Sequence, residues 1–344
     1  MKNKTILFSG LFLLFMITAC KSKKGIVNSN KTEFNRNIKF IPESNSLTFD
    51  LTRKENMPFS EYDFGAELYN GKIYAFLDNH RNRYGNEDNN HGDVCVYDIK
   101  SNSWSKVNVI PKSQPTTTSG LVNDKIYLIG SSEKNRDLIQ VYNITKNEWE
   151  ESFNLPIGLY WTTVETHKQN IYVMGGYCPQ LHPEIMSLNN VQIYNTQTKE
   201  WSEGATMPRS IQSPNSLKYK DEFYIWDNYP RVMYKYNPEK NMWISLDKFR
   251  PYVKGAQEGL VLNNKLYFIS GQQNSGKVSK AIKKIYEYNP KTNEYLESLN
   301  NLVTGRHYNY GAFGYKDKIY LLGGREDQNW DSMNDVIELK IKVE

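Results

Sequence analysis

The sequence predicts an all-β protein in which six copies of one four-stranded antiparallel sheet close into a ring. Three observations predict this architecture. A short segment that combines a turn, a hydrophobic residue and a tyrosine recurs six times, at steps of 53, 45, 52, 43 and 53 residues. After each of the first five copies, a second tyrosine stands seven residues before a tryptophan or tyrosine. Aromatic residues make up 13% of the 344 residues, and such a share favours buried strands over disorder.

The first half of each repeat predicts strands a and b. A polar turn such as Asn70-Gly71 joins the two strands, and the hydrophobic run that follows the turn is strand b. Strand b carries the recurrent tyrosine in all six copies, at Tyr74, Tyr127, Tyr172, Tyr224, Tyr267 and Tyr320.

The second half of each repeat predicts strands c and d. We expect the paired aromatic residues to pack as core between neighbouring sheets, because large flat side chains fill such gaps. The five pairs are Tyr97 and Trp104, Tyr142 and Trp149, Tyr194 and Trp201, Tyr236 and Trp243, and Tyr288 and Tyr295.

The sixth copy has a predicted strand c at residues 336–339 but no marker for strand d, which would fall at position 346. Near the start of the chain, Leu51 stands seven residues before Pro58, as Trp104 stands before Pro111. Residues 46–52 are therefore predicted to complete the last sheet and to close the ring. Closure of this kind hides exposed sheet edges.

The spacing and two further motifs resemble those of a kelch-repeat β-propeller over residues 46–344. A glycine pair follows strand b at Gly175-Gly176 and at Gly323-Gly324, and Met207-Pro208-Arg209 precedes a strand a. The resemblance implies six blades in one domain. Other copies keep one glycine or none, so the blades are divergent and a family function transfers poorly.

The first residues predict a signal peptide at 1–19. Lys2 and Lys4 precede an apolar run at 6–17, which is shorter than the roughly 20 residues that span a bilayer. Residues 16–20 resemble the bacterial lipobox, which implies that Cys20 is lipidated; an ordinary secretory signal is the alternative. We expect an anchored protein of the bacterial cell envelope, at the outer membrane and facing the periplasm. Residues 20–45 are expected to be a flexible basic tether.

The distribution of charge argues against a nucleic-acid partner. The net charge is +5, but residues 1–45 hold eight lysine or arginine residues against two glutamates, a net +6. The remaining chain therefore carries +5 minus 6, or −1. Cys95 and Cys178 lie in different repeats, so we expect free thiols rather than a disulfide, which stays possible in an oxidising compartment.

The variable parts of the repeat predict where a ligand binds. From the strand d marker to the next strand b tyrosine the distance is 23 to 25 residues, whereas from strand b to strand c it is 12 to 23. The bc loops and the da connections emerge on one face of the ring, and variable loops on a rigid scaffold usually carry binding. Aromatic and amide groups around a basic residue would suit a sugar acid or an acidic peptide. The expected ligand-binding residues are Asp78, His80, Trp161, Gln212, Gln257, Arg306, Tyr308 and Arg325.

Two classes of function remain open. The first is a monomeric, non-catalytic module that binds a glycan or a protein partner. The second is a carbohydrate-active enzyme resembling the periplasmic six-bladed kelch mutarotases of sialic acid, for which Glu258, Arg306 and His307 would be the acid and base candidates. A copper oxidase is less favoured, because it would rest on Cys178 beside Tyr177 alone. No cofactor and no metal site are expected, since the motifs that bind phosphate or metal are missing from the sequence.

Overall fold

Six antiparallel sheets form a ring in the part of the chain that the structure describes. The computed structural model describes residues 39–40, 46–77, 92–130, 135–178, 187–228, 231–246, 258–275, 278–292, 294–306, 311–326 and 332–343. Every regular element in these ranges is a β-strand, and they contain no helix long and apolar enough to cross a membrane. The predicted all-β, six-bladed fold is confirmed.

Four blades follow one another after two N-terminal strands. Neighbours in sequence are neighbours in the sheet, so each blade runs a-b-c-d from the centre outwards. In blade 2 the outer strand is divided into two short pieces that both pair with strand c. The strands are β1 (Lys39–Phe40) and β2 (Leu47–Arg53), then β3 (Gly65–Tyr69), β4 (Lys72–Leu77), β5 (Asp93–Asp98) and β6 (Ser103–Val109) in blade 1, β7 (Thr118–Val122), β8 (Lys125–Ile129), β9 (Leu138–Asn143), β10 (Glu148–Trp149) and β11 (Phe153–Asn154) in blade 2, β12 (Thr163–His167), β13 (Asn170–Met174), β14 (Val191–Asn195) and β15 (Glu200–Glu203) in blade 3, and β16 (Asn215–Tyr219), β17 (Glu222–Asn228), β18 (Arg231–Asn237) and β19 (Met242–Leu246) in blade 4.

Blades 5 and 6 complete the ring. Blade 5 has an additional hairpin between its strands b and c. The remaining strands are β20 (Glu258–Leu262), β21 (Lys265–Ile269), the hairpin strands β22 (Gln272–Ser275) and β23 (Val278–Ala281), β24 (Ile285–Asn289) and β25 (Glu294–Glu297) in blade 5, and β26 (Gly311–Tyr315), β27 (Lys318–Leu322) and β28 (Val336–Val343) in blade 6.

The ring has two distinct faces. The turn face carries the short ab and cd turns, such as Asn70-Gly71, where both residues have positive φ and so form the tight turn that matches the twist of a hairpin. The loop face carries the bc loops and the da connections, the latter at residues 54–64, 110–117, 155–162 and 204–214. Strand a of every blade lies at the centre and runs from the loop face to the turn face.

Blade 6 takes its outer strand from the N-terminal part of the chain. β2 pairs antiparallel with β28 along its whole length, from Leu47 opposite Val343 to Arg53 opposite Ile337. Leu47 is fully buried and Phe49 is 4% exposed, and both belong to the core between blades 5 and 6. The predicted closure by residues 46–52 is therefore confirmed, with β2 ending at Arg53.

The segment 20–45, expected to be a flexible tether, contributes one short strand. β1 pairs in parallel with β25, with Lys39 opposite Glu294 and Phe40 opposite Tyr295. Two residues of the expected tether thus extend the outer edge of blade 5. Because β25 begins directly after a cd turn, its parallel neighbour β1 also starts at the turn face.

The paired aromatic residues of strands c and d pack against each other in all five blades where they were predicted. Their ring centroids lie 4.6 to 5.2 Å apart, a distance typical of favourable aromatic contacts. Trp243 also donates its indole N–H to the carbonyl of Ala205 at 2.7 Å, which joins blade 4 to the connection that leaves blade 3. The tyrosines of these pairs are buried in the core, and the four tryptophans are partly buried and pack against it.

In blades 3 and 6, the glycine pair after strand b links the blade to the next one. Gly176 and Gly324 have φ of +100° and +98°, which other residues rarely adopt. Their N–H groups donate to the carbonyls of Ile211 and Glu61, each at 2.9 Å. Blade 4 has no glycine pair after its strand b; within that strand the fully buried Trp226 packs against Phe268 and Gly259 of blade 5.

Candidate functional site

The six innermost strands enclose a polar cavity at the centre of the ring. Its volume is about 190 Å³, and an apolar cavity of about 150 Å³ holds one benzene ring. The cavity is therefore large enough for a six-membered ring. Its walls are rich in hydroxyl and carboxyl groups, supplied by Glu67, Thr117, Thr118, Ser119, Thr162, Thr163, Glu165, Asn215, Ser216 and Glu258.

Three carboxyl groups reach this channel from three blades. Burial raises the pKa of Glu258 from 4.5 to about 8, and the neighbouring Asp63 carboxylate adds to the rise. Burial also raises the pKa of Glu67 and of Glu165 to about 7, and the charge of Glu165 adds to the rise at Glu67. All three groups are thus partly protonated near neutral pH, so each can donate as well as accept a hydrogen bond.

Hydroxyl groups hold two of the three carboxyls. Ser119 donates to Glu67 Oε1 at 3.0 Å, and Ser216 donates to Glu165 Oε1 at 2.7 Å. These bonds favour the ionised carboxylates and oppose the effect of burial. Lys218 also lowers the pKa of Glu165, although its ammonium group donates to the backbone carbonyl of Thr166 at 2.7 Å.

The side chains of Asn215 and Glu258 in the wall have no hydrogen-bond partner among the described residues. Asn215 is 7% exposed and stands at the first position of strand a in blade 4, and Glu258 holds the same position in blade 5. Among the described residues, neither side chain makes a hydrogen bond. Buried polar groups are normally paired with protein or water, so these two groups are available to a ligand in the channel.

Three blades present a residue with left-handed backbone at the loop-face mouth of the channel. Asp63, Thr116 and Trp161 each stand two residues before strand a, with φ of +54°, +62° and +54°. Such a conformation costs energy for residues other than glycine, and bulky residues rarely adopt it. Strained backbone of this kind clusters at functional sites, which makes the mouth a candidate site.

Blade 3 carries an aromatic group beside this mouth. Trp161 is 36% exposed, and its ring centroid lies 4.8 Å from that of Tyr160 and 6.0 Å from that of Tyr177. The Tyr160 ring also has the Arg136 guanidinium 5.2 Å from its centroid. The tyrosines therefore support the exposed indole, and the next residue, Thr162, already lines the channel.

Arg306 does not lie where the sequence analysis placed it. It is fully buried, and its guanidinium donates to the carbonyl of Gly323 at 2.8 Å and to the carboxylate of Asp335 at 2.9 Å. It holds blade 6 together and is closed to a ligand in this structure. The expected catalytic and ligand-binding roles of Arg306 therefore have no support from its position.

The other predicted site residues lie in different parts of the ring or outside the described residues. Arg325 is 5% exposed and lies 5.2 Å from the ring centroid of Tyr62, so it joins blade 6 to blade 1 across the closure. Gln212 is partly buried in the connection before blade 4. Glu258 lines the channel, and Trp161 directly precedes Thr162, which also lines it. Asp78, His80, Gln257, His307 and Tyr308 lie outside the described residues.

Glu67 and Glu165 were not among the site residues predicted from the sequence. Both occupy the third position of strand a, where other blades have a glycine or an apolar residue. A carboxylate inside a short central strand was the available signal, because a charged residue is rarely buried unless it is paired or functional.

No group of three or more metal-ligating side chains occurs in the described part of the chain. Cys178, considered beside Tyr177 as a copper-oxidase feature, is a buried thiol that forms no disulfide. Cys95 is also free and buried, and burial raises the pKa of its thiol to about 12. The two cysteines therefore do not form a disulfide.

Comparison with known proteins agrees with this geometry. The Kelch motif family matches residues 162–208, which span blade 3. Human "Kelch repeat and BTB domain-containing protein 6" is 25% identical over 46% of this chain and 21% of its own length. "Kelch repeat and BTB domain-containing protein 3" of Pongo abelii is 24% identical over 71% of this chain and 42% of its own length. The chain thus spans less than half the length of these relatives.

A solved structure shows the same architecture. The structure of YjhT superimposes with a TM-score of 0.68 at 14% sequence identity, over 85% of this chain and 99% of that chain. At this level of identity the likeness concerns the fold. Together with the motif match and the six-bladed ring, it shows that the chain is a kelch-repeat β-propeller.

Proposed function

We propose that this propeller is a glycan-binding module whose site is the channel and its mouth on the loop face. The exposed indole of Trp161 beside a polar channel carries the proposal. Sugar rings have apolar faces that pack on aromatic rings, and their hydroxyl groups need partners that both donate and accept. Trp161 offers the first, and the channel hydroxyls with Asn215 offer the second.

The charge of the channel indicates which glycans would bind. A sugar acid or an acidic peptide was expected to bind around Arg306, but that guanidinium is buried elsewhere. The channel instead presents carboxyl groups from Glu67, Glu165 and Glu258. These groups would repel the carboxylate of an acidic glycan. Neutral or basic glycans are therefore favoured over acidic ones.

A glycan array followed by calorimetry tests the proposal. Trp161→Ala should weaken binding of the best array ligand by about 10- to 100-fold, as expected for an aromatic residue that dominates an interface. Trp161→Phe keeps a stacking ring and should retain most of the affinity. Equal affinity of the wild type and Trp161→Ala would place the glycan elsewhere, and a partner found only among proteins would replace the glycan proposal by a protein-binding one.

The second candidate is an enzyme that interconverts sugar forms, such as a mutarotase or epimerase. Glu258 supports it, because a carboxyl group with a pKa of about 8 keeps its proton at pH 7 and can act as a general acid. Nuclear magnetic resonance of anomer exchange, with sialic acid in the sugar panel, distinguishes the candidates. Acceleration that Glu258→Gln removes would favour the enzyme, whereas exchange at the buffer rate would leave the binding module.

We further propose that Cys20 is lipidated and anchors a monomeric propeller to the outer membrane, facing the periplasm. The lipobox-like residues 16–20 motivate this. Exposed lysines suited to anionic lipid stand in the cd turns of four blades, at Lys100, Lys199, Lys240 and Lys291.

Metabolic labelling with a fatty acid tests the anchor. The wild-type chain should be labelled and remain with the membrane fraction, and Cys20→Ala should lose both properties. Label retained by Cys20→Ala would exclude this anchor, and so would a wild-type chain that is never labelled.

A further inference from the structure

We propose that the channel selects sugars that carry a free ammonium group, such as amino sugars without an acetyl group. This inference rests on the proposed glycan site and names its substrate class. It comes from the cavity between the six inner strands and from the side chains that face it, chiefly Glu67, Glu165, Asn215 and Glu258.

The first argument is the balance of charged groups in the channel. The described inner strands contribute three carboxyl groups to its wall, Glu67 from β3, Glu165 from β12 and Glu258 from β20. Asp63 adds a fourth acidic group near Glu258. Lys218 of β16 acts electrostatically on Glu165, but its ammonium group already donates to the backbone. A ligand ammonium would supply the missing positive charge, and carboxylates in a partly buried site favour such a partner.

The second argument is the presence of unpaired polar groups in the wall. The side chains of Asn215 and Glu258 make no hydrogen bond within the described part of the chain, although Asn215 is 7% exposed. Both start strand a of adjacent blades and line the same cavity. An amide offers donors and an acceptor to hydroxyl groups, while a carboxylate accepts from an ammonium group. Together, Asn215 and Glu258 match a sugar ring that carries both hydroxyl groups and an ammonium group.

The size of the cavity and the charges of its described lining also fit an amino sugar. A cavity of about 190 Å³ accommodates one six-membered ring, and Trp161 at the mouth can stack on the next sugar of a chain. Strands β7 and β26 present no charged side chain to the cavity. An ammonium group in the channel would therefore meet carboxyl groups and hydroxyl groups, and the described side chains that line the cavity include no positive charge.

Binding of such a ligand is expected to release protons. A positive charge beside Glu258 favours its ionised form, so a carboxyl group that is protonated before binding gives up its proton on binding. Affinity for an ammonium sugar should rise between pH 6 and pH 8, approaching tenfold per pH unit where one whole proton is released. Affinity for a neutral sugar should change little or fall over the same range.

Calorimetry with three matched probes tests the inference. The probes are 6-amino-6-deoxyglucose, glucose and glucuronic acid, which differ only in an ammonium, a hydroxyl or a carboxylate group at one carbon. Glucosamine and N-acetylglucosamine repeat the comparison at another carbon. We expect at least tenfold tighter binding of the ammonium sugar than of its neutral counterpart, and weakest binding of glucuronic acid.

Variants connect the preference to the channel. Glu258→Gln should reduce the preference for the ammonium sugar by tenfold or more and should remove part of the proton release. Glu200→Gln alters an exposed carboxylate at the start of β15 and should leave both unchanged. Thermal unfolding of each variant checks that the fold is intact.

The outcomes separate this inference from the proposed function. Trp161-dependent binding of glycans with no preference for ammonium over hydroxyl would overturn the inference and leave the glycan module in place. Tighter binding of glucuronic acid would overturn the inference as well. If neither the probes nor any array glycan binds, the proposed function fails together with the inference.

Discussion

The substitution Glu258→Gln should make the propeller more stable above neutral pH. In the folded chain Glu258 holds its proton up to a pKa of about 8, whereas the unperturbed value is 4.5. The folded state therefore binds more protons than the unfolded state between these values. The stability contributed by this group is complete below pH 4.5 and is lost as the pH rises to about 8. Glutamine cannot ionise, so the Glu258→Gln variant does not lose this stability as the pH rises.

The magnitude follows from the size of the pKa shift. One pH unit corresponds to about 1.4 kcal/mol, so a rise from 4.5 to about 8 sets an upper value on the order of 5 kcal/mol. Solvent in the channel lowers this figure. We expect Glu258→Gln to exceed the wild type by about 2–4 kcal/mol at pH 8.5 and by close to nothing at pH 4.5.

Urea unfolding at half-unit pH intervals from 4.5 to 8.5 measures the effect. The wild-type free energy of unfolding should fall with pH, and Glu258→Gln should fall less steeply while keeping the slope that Glu67 and Glu165 contribute. Glu200→Gln serves as the exposed control and should follow the wild type. Parallel curves for wild type and Glu258→Gln would refute the argument, because they would mean that Glu258 titrates alike in both states.

Three further substitutions test the packing of the ring. Leu47→Ala in the closing strand should lower the free energy of unfolding in urea by about 2–5 kcal/mol. The control Leu299→Ala, at a side chain that is 67% exposed, should lower it by less than about 0.5 kcal/mol. Equal effects of the two substitutions would mean that β2 does not close the ring. Gly259→Ala should cost about 1–3 kcal/mol, because the new Cβ would lie 2.5 Å from the Trp226 ring, and an unchanged melting temperature would contradict this contact. Arg306→Ala should cost about 3–5 kcal/mol by stranding its buried partners, and a stable variant that loses glycan binding would instead restore the ligand-binding role.

Much of the fold follows from the sequence because each blade repeats one chemical pattern. A tyrosine and a tryptophan seven residues apart, such as Tyr236 and Trp243, face each other across a tight turn, so their spacing fixes strands c and d. The closure follows from the same logic, since a ring of identical units reveals which strand is missing. β1 was not predicted, because two residues of irregular sequence carry no period of their own.

The site was predicted less well, and burial explains the difference. Trp161 was placed at the mouth by counting back from the strand b tyrosine, and it stands directly before Thr162 in the channel wall. The same count placed Arg306 there, but its side chain is buried and donates to Asp335, because a count along the chain cannot tell an arginine that faces a ligand from one that reaches back into its blade. Glu67 and Glu165 were missed because the direction of a side chain on an inner strand depends on how the six blades meet.

A crystal structure of the chain with 6-amino-6-deoxyglucose tests the central claim most directly. We expect a sugar ring in the channel, with its ammonium group within hydrogen-bond distance of Glu258 or Glu165 and its hydroxyl groups near Asn215. The part of the sugar nearest the loop face should lie towards Trp161. A sugar seated on the turn face or against the outer strands, with the channel holding only water, would contradict it.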